Sequence, residues 1–188
     1  ILVITSDNGD FLGEKGLLSH VLSIDDAVTH TPMVVHGMDS ISNESPLIQQ
    51  IDVMQSIVNR IGGDTSQFQG VDLRKEQRDS AVTNRAPIKE SFWTKEYPNV
   101  DFSRFHLEKL TSIRTESFRY QKSKGGSQLY KLPNEDEDIK YQFPHVTTEL
   151  DRVLEEWLDS EGATIKNDLN NQFTDNMRQQ LRDLGYVE

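Results

Sequence analysis

The chain predicts an α/β fold: parallel strands first, then a small antiparallel sheet with C-terminal helices. Three observations carry this. Two short apolar runs, Ile1-Leu2-Val3-Ile4 and Met33-Val34-Val35, are too short for helices and rich in β-branched residues. They read as core strands of a parallel sheet, covered on both faces. Between Leu110 and Leu132, three strand-length stretches are separated by turn residues, and amphipathic helical patterns follow them.

Taken in order, the first strand ends at Thr5-Ser6 and delivers Asp7, Asn8 and Gly9 into a loop. The segment Gly16 to Ala27 is expected to be a loop entering a short helix, with Asp25-Asp26 at the helix N-terminus, where the dipole favours acidic side chains. Asp39 to Pro46 is a polar linker with turn chemistry. Pro46 to Ile61 predicts a helix stopped by Gly62-Gly63. Leu47, Ile48, Ile51, Met54, Ile57, Val58 and Ile61 keep a three-or-four spacing, read as the stripe packed on the sheet. Asp64 to Asn99 mixes polar residues with isolated aromatics and predicts mostly loops, with a strand near Ser80 to Val82 or at Ile88. Pro98-Asn99 marks a boundary, which gives an α/β part over residues 1–99 and a small α+β subdomain over 100–188.

In that second part, Leu110 to Arg114 and Phe118 to Lys122 flank Thr115-Glu116-Ser117 as a hairpin. Gly125-Gly126 turns the chain into a third strand, Gln128 to Leu132. Val146, Leu150, Val153, Leu154, Trp157 and Leu158 share one face of a helix ended by Glu161-Gly162. Phe173, Met177, Leu181 and Leu184 mark a last helix, capped at Gly185.

Composition narrows the partners. The 188 residues suffice for a domain with a core. The formal net charge of -11 disfavours nucleic acid and anionic membrane surfaces, whose phosphates are bound by Lys and Arg. No run approaches the roughly 20 apolar residues of a membrane helix. There is no cysteine, which excludes disulfides and thiolate metal sites.

Asp7 and Asn8 follow a strand, at the strand end where open α/β sheets bind ligands. Their oxygens are hard donors that suit Ca²⁺ or Mg²⁺. On spacing alone a plain turn is the better account, because Asx-Gly pairs are common turn formers. The acidic run Asn134 to Asp138 lacks the glycine and distal glutamate of an EF-hand loop and reads as a solvated turn.

Ser6-Asp7-Asn8-Gly9, Leu12-Gly13-Glu14-Lys15-Gly16-Leu17, Asp25-Asp26 and Pro32-Met33-Val34-Val35 together resemble the C-terminal signature of the sulfatases, within the alkaline-phosphatase-like superfamily. The Ile51-Asp52-Val53-Met54 helix, the hairpin from Ser112 to Tyr120 and Leu129-Tyr130 continue the resemblance in family order. It implies the C-terminal part of a sulfatase fold, with Asp7 and Asn8 as two ligands of a divalent cation, most often Ca²⁺. It implies that His20, twelve residues before Pro32, contacts the sulfate ester, either as a cation on the oxyanion or as an acid on the leaving oxygen. By residue type alone, His20 is equally well a surface loop histidine.

Two positions depart from the signature. Lys15 stands where the family carries His, and His30 where it carries Arg. Val28 replaces the Arg that would make Asp25-Asp26 the family's other, N-terminal metal motif. The family nucleophile is a formylglycine made from Cys or Ser in a [CS]-x-P-x-R motif. There is no Cys, and Ser45-Pro46 has the wrong spacing, so that group is expected upstream. The chain also starts inside a strand, which predicts the C-terminal region of a longer protein, with the N-terminal remainder as its partner and a sulfate-ester small molecule or glycan as substrate. Phosphodiesterases and phosphonate hydrolases of the superfamily share the metal-loop pattern and are the rival within enzymes. A non-catalytic interaction domain on the same scaffold is the rival outside them.

Overall fold

A computed structural model describes residues 1–38, 47–96, 98–99, 101–160 and 179–180. These fall in two compact units, Ile1–Glu156 and Trp157–Glu188. The first holds all the strands among the described residues: β1 (Leu2–Thr5), β2 (Phe11–Leu12), β3 (Leu18–Ser19), β4 (Met33–His36), β5 (Ala81–Arg85), β6 (Leu110–Arg114), β7 (Phe118–Ser123) and β8 (Gly126–Lys131). Its helices are α1 (Asp26–Thr29), α2 (Gln50–Arg60), α3 (Glu90–Glu96) and most of α4 (Pro144–Ser160). The described part of the second unit is the end of α4 and two helical residues, 179–180. The last helix expected over Phe173 to Leu184 lies, but for those two, outside the described residues, as does the linker from Asp39 to Pro46.

The mixed α/β class and the small antiparallel sheet are as the sequence predicts. The four strands run in the order β5-β6-β7-β8, and Val82 pairs with Ile113, Ile113 with Tyr120 and Tyr120 with Leu129. Ile113, Tyr120 and Leu129 are buried along that row, and Leu150 and Leu154 of α4 are buried too. Lys122 donates to Asp151 (2.8 Å) and Glu155 (2.7 Å), and Tyr120 Oη donates to Asp151 at 2.8 Å, which ties β7 to α4. Burial pushes the Asp151 carboxyl up, but the bonds from Lys122 and Tyr120 outweigh it and leave Asp151 lowered. β5 lies before residue 99 and pairs with β6 after it, so the sheet crosses the expected boundary.

The expected parallel pairing is corrected. β1 and β4 pair with each other, antiparallel, with Ile4 opposite Val34 and Leu2 opposite His36. Among the described residues every strand pairing is antiparallel. Nor are both faces covered: Leu2, Ile4 and Val34 are exposed on one face, while Val3, Met33 and Val35 on the other are half-buried. A two-stranded ribbon can bury only the face it turns to the rest of the chain.

The stripe on α2 is corrected in part: Leu47 is buried and Ile48, Ile57 and Val58 are half-buried, but three of its members are not. Met54 is 52% exposed and Ile61 74%, and Ile51 is exposed as well. The buried side of the helix carries Asp52, Val53 and Ser56. Two polar residues face inward because each is fully bonded. Ser56 Oγ donates to Asp52 O and accepts from Leu73 N–H. Asp52 accepts from Gln49 and Val71 N–H and from the Arg78 guanidinium. α3, in the stretch expected to be loop, is a further addition.

Candidate functional site

β1 ends at Thr5, and the next residues form a loop held by short local bonds. Ser6 Oγ donates to Asn8 O at 2.6 Å, and Asn8 N–H donates to Asp7 Oδ1 at 3.0 Å. Asn8 Nδ2 donates to Gly9 O at 3.0 Å. Gln50, the first residue of α2, reaches back from its Nε2 to Ser6 O at 2.6 Å. Gly9 then packs directly on α1. Its N–H donates to Val28 O at 2.8 Å, and a Cβ there would sit 2.2 Å from Ala27 O. Gly9→Ala is therefore expected to push the Asp7-Asn8 loop off α1 and cost roughly 1–3 kcal/mol of stability, the usual overpacking range. Chemical denaturation of the variant checks it; unchanged stability would mean that the contact relaxes freely.

Asp7, Asn8 and His20 line one open cleft of about 540 Å³, whose other walls include Gln50, Arg85 and Arg114. His20 follows β3 and is half-exposed, with Nδ1 2.8 Å from Asp10 Oδ1. An accepting carboxylate holds a proton on Nδ1 and leaves Nε2 as the atom that exchanges protons. Asp10 was missed in the sequence, where nothing about an isolated Asp ten residues before a His signals a pair. His30 also lines the cleft, but it is mostly exposed and 3.9 Å from Asp26 Oδ2.

Behind the cleft lies a buried charge cluster that the sequence reading assigned otherwise. Asp25 does occupy the position before α1, yet its side chain makes no capping bond. Instead Arg119, only 1% exposed, donates to Asp25 Oδ1 at 2.6 Å, to Gln121 Oε1 at 2.5 Å and to Glu135 Oε1. Asp26 takes a bidentate fork from Arg114, 2.9 Å in each arm. Glu135 belongs to the acidic run read as a solvated turn; it is buried, and its second oxygen accepts from Asp26 N–H at 2.8 Å. Burial pushes the Glu135 carboxyl up, against the pull of Arg119. Lys15, the departure from the family histidine, binds Asp25 at 2.8 Å and Glu135 O at 2.7 Å, so its ammonium is engaged in the scaffold. Tyr130, under Arg119, is pushed by burial up to about 12.

The donor set fits a divalent cation in part. Asp7 Oδ2 and Asn8 Oδ1 take no hydrogen bond among the described residues, and both are hard oxygens at the mouth of the cleft. Ca²⁺ takes six to eight oxygens. No group of three or more His, Cys, Asp or Glu among the described residues is placed to hold a metal. Asp7 and Asn8 would thus supply two ligands of a larger set.

No protein-family profile and no curated protein matches this sequence. Solved structures do. A sulfatase candidate from Bacteroides thetaiotaomicron VPI-5482 superposes with a TM-score of 0.65 over 92% of this chain and 38% of its own, at 16% identity. BT4656, solved with its substrate D-glucosamine-2-N,6-O-disulfate, gives 0.64 over 84% and 33%, at 21% identity. A phosphonate monoester hydrolase from Silicibacter pomeroyi gives 0.62 over 89% and 35%, at 18% identity. The chain spans little more than a third of the length of these proteins. Its fold is a part of theirs, consistent with the C-terminal portion of the sulfatase fold.

Proposed function

We propose that this chain is the C-terminal part of a sulfatase-like hydrolase that converts R–O–SO₃⁻ and water to R–OH and hydrogen sulfate. The observation that supports it best is the gathering of Asp7, Asn8 and His20 along one cleft at the end of β1, in a fold shared with sulfatases. Asp7 and Asn8 would hold the divalent cation, Ca²⁺ or Mg²⁺, which supplies positive charge to the ester oxygens when bound. His20, braced by Asp10, would as the imidazolium present Nε2–H to the bridging oxygen and give it that proton as the S–O bond breaks, so that R–OH leaves. The formylglycine nucleophile would come from the N-terminal remainder of the protein. The exposed apolar faces of β1–β4 and α2 (Ile4, Val34, Met54, Ile61) are where that remainder would pack. The substrate would be a sulfate ester of a small molecule or glycan.

The 188-residue chain alone is expected to show no aryl sulfate turnover, with or without Ca²⁺. In the full-length protein, Asp7→Ala should abolish turnover and weaken Ca²⁺ binding by about 10- to 100-fold in calorimetry. His20→Ala should lower kcat by about 10²- to 10⁴-fold without affecting Ca²⁺. Turnover by the isolated chain that disappears in Asp7→Ala would overturn the division of labour. Unaltered metal affinity in Asp7→Ala would overturn the ligand assignment. The likeness to a phosphonate monoester hydrolase keeps one alternative in view: the same cleft acting on a phosphonate or phosphate ester. A full-length protein that prefers a phosphonate monoester to the matching sulfate would establish it.

A further inference from the structure

The loop of Asp7 and Asn8 contains a chemically labile pair. Of the asparagines in the chain, Asn8 alone is followed by glycine. Such a pair is prone to cyclise, because no side chain shields the glycine nitrogen and glycine reaches the backbone angles that ring closure needs. The fold calls for that glycine: a Cβ on residue 9 would lie 2.2 Å from Ala27 O and 3.3 Å from Ala27 C. The contact with α1 that demands glycine thus creates the labile pair, and the same contact restrains it. Ring closure needs the Gly9 nitrogen to give up its proton and reach Asn8 Cγ. Docked on α1, that N–H donates to Val28 O at 2.8 Å, and the Asn8 carboxamide is itself tied, Nδ2 to Gly9 O at 3.0 Å. The guard is short. α1 has four residues, and its start is fastened by the Arg114 fork on Asp26, 2.9 Å in each arm, and by Glu135 on Asp26 N–H at 2.8 Å. Any local opening that lifts α1 frees the Gly9 N–H.

We propose that Asn8-Gly9 is a self-modification site gated by α1: when α1 lifts, the Gly9 nitrogen displaces the Asn8 carboxamide nitrogen, and residue 8 becomes aspartate or isoaspartate. The bond from Gly9 N to Asn8 Cγ forms, the Cγ–Nδ2 bond breaks, and ammonia leaves with the proton of the Gly9 amide. Water then opens the cyclic imide, at Cγ to give aspartate or at the Asn8 main-chain carbonyl to give isoaspartate. Both products lose the Nδ2 donor to Gly9 O. Isoaspartate also lengthens the main chain by a methylene just before Gly9, which puts the Gly9 N–H out of register with Val28 O. The reaction needs only water and does not depend on the hydrolase reading. Its consequence for a cation at Asn8 Oδ1 does rest on that reading.

The test follows residue 8 by peptide mapping, with isoaspartate detected by enzymatic methyl transfer, in the full-length protein held metal-free at mildly alkaline pH. Unfolded in urea, the wild type should convert at Asn8 before any other asparagine of this chain. Folded, it should convert more slowly, by the factor that hydrogen exchange of the Gly9 N–H gives for its opening. Asp26→Ala, which removes the Arg114 fork, should speed the folded reaction about tenfold or more, the value of a charge-assisted contact. The exchange comparison uses the wild type alone and stands even if Asp26→Ala does not fold. Equal rates in folded and unfolded protein, an Asn8 stable in both, folded conversion out of step with Gly9 exchange, or no acceleration in a folded Asp26→Ala overturns the proposal. Calcium titration of the converted protein is a separate readout: unchanged affinity would sink the ligand role of Asn8 and leave the modification standing.

Discussion

Replacing Arg119 with methionine is expected to remove about 3–5 kcal/mol of folding stability at neutral pH, the cost of stranding buried charge by deleting one partner. Domains of this size hold about 5–15 kcal/mol in total, so the variant should be near the edge of folding. Methionine fills much of the arginine stem's volume, so packing is a minor part of the change. What it leaves is Asp25 and Glu135, two buried carboxylates that share one cation, with only Lys15 among the described residues to offset them. The pH dependence separates charge from packing. Glu135 is already raised in the fold by burial, against the pull of Arg119. A folded-state pKa above the unfolded one means that the native state binds more protons in that window. Stability contributed by the protonated form is then present below the unfolded pKa and lost as pH rises through the folded value. Deleting Arg119 removes the downward pull, so the window widens. The penalty of Arg119→Met should therefore be greatest at neutral pH and shrink on acidification toward the ordinary glutamate range. Urea unfolding of both proteins across that range measures it. A penalty that stays constant with pH would assign the effect to the arginine's stacking on Tyr130, 4.7 Å from the ring centroid.

That cluster also shows what the sequence could and could not disclose. The hairpins were legible because their signals are local: strand-length stretches over Leu110–Arg114 and Phe118–Lys122 around Thr115-Glu116-Ser117, then Gly125-Gly126 at the reversal. The loop of Asp7 and Asn8, right after a strand, was legible for the same reason. Pair direction was not, because a four-residue apolar run such as Leu2–Thr5 has the same composition whether its neighbour runs with it or against it. The partners of charged residues were hidden by distance along the chain. Arg119 and Asp25 are 94 positions apart, and Arg114 and Asp26 are 88 apart. Read locally, Asp25 is a helix cap and Glu135 is surface. Folded, both are counter-charges to an arginine on β7. His20 is the intermediate case: its place on the cleft followed from a pattern, while Asp10, which sets its tautomer, did not.

The helix α2 gave the clearest misreading, and it leads to the second large effect. Apolar spacing pointed to a stripe from Leu47 to Ile61 as the inner face, yet Ile51, Met54 and Ile61 of that stripe are exposed, while Asp52 and Ser56 have no exposure. The Asp52 carboxylate takes the Gln49 N–H that opens α2 (2.8 Å), the Val71 N–H of the following loop (2.9 Å) and both arms of Arg78, 2.6 Å each. One side chain thereby joins a helix start to a loop 19 residues on and to an arginine 26 residues on. Asp52→Ala is expected to cost about 3–5 kcal/mol, because Arg78 is left largely buried without its counter-charge and two backbone N–H groups lose their acceptor. Asp52→Asn should recover only part of that, since the amide keeps one acceptor but turns a donor toward Arg78. The consequence reaches the cleft. Gln49 and Gln50, at the helix start that Asp52 anchors, hold Val82 O and Ser6 O, and so tie β5 and the start of the Asp7-Asn8 loop each to α2. In the full-length protein, Asp52→Asn should therefore weaken Ca²⁺ binding as well as stability, although Asp52 touches no proposed ligand. Calorimetry and denaturation on the same preparation test the coupling. A variant that loses stability but binds Ca²⁺ as wild type does would show that the loop is positioned without α2.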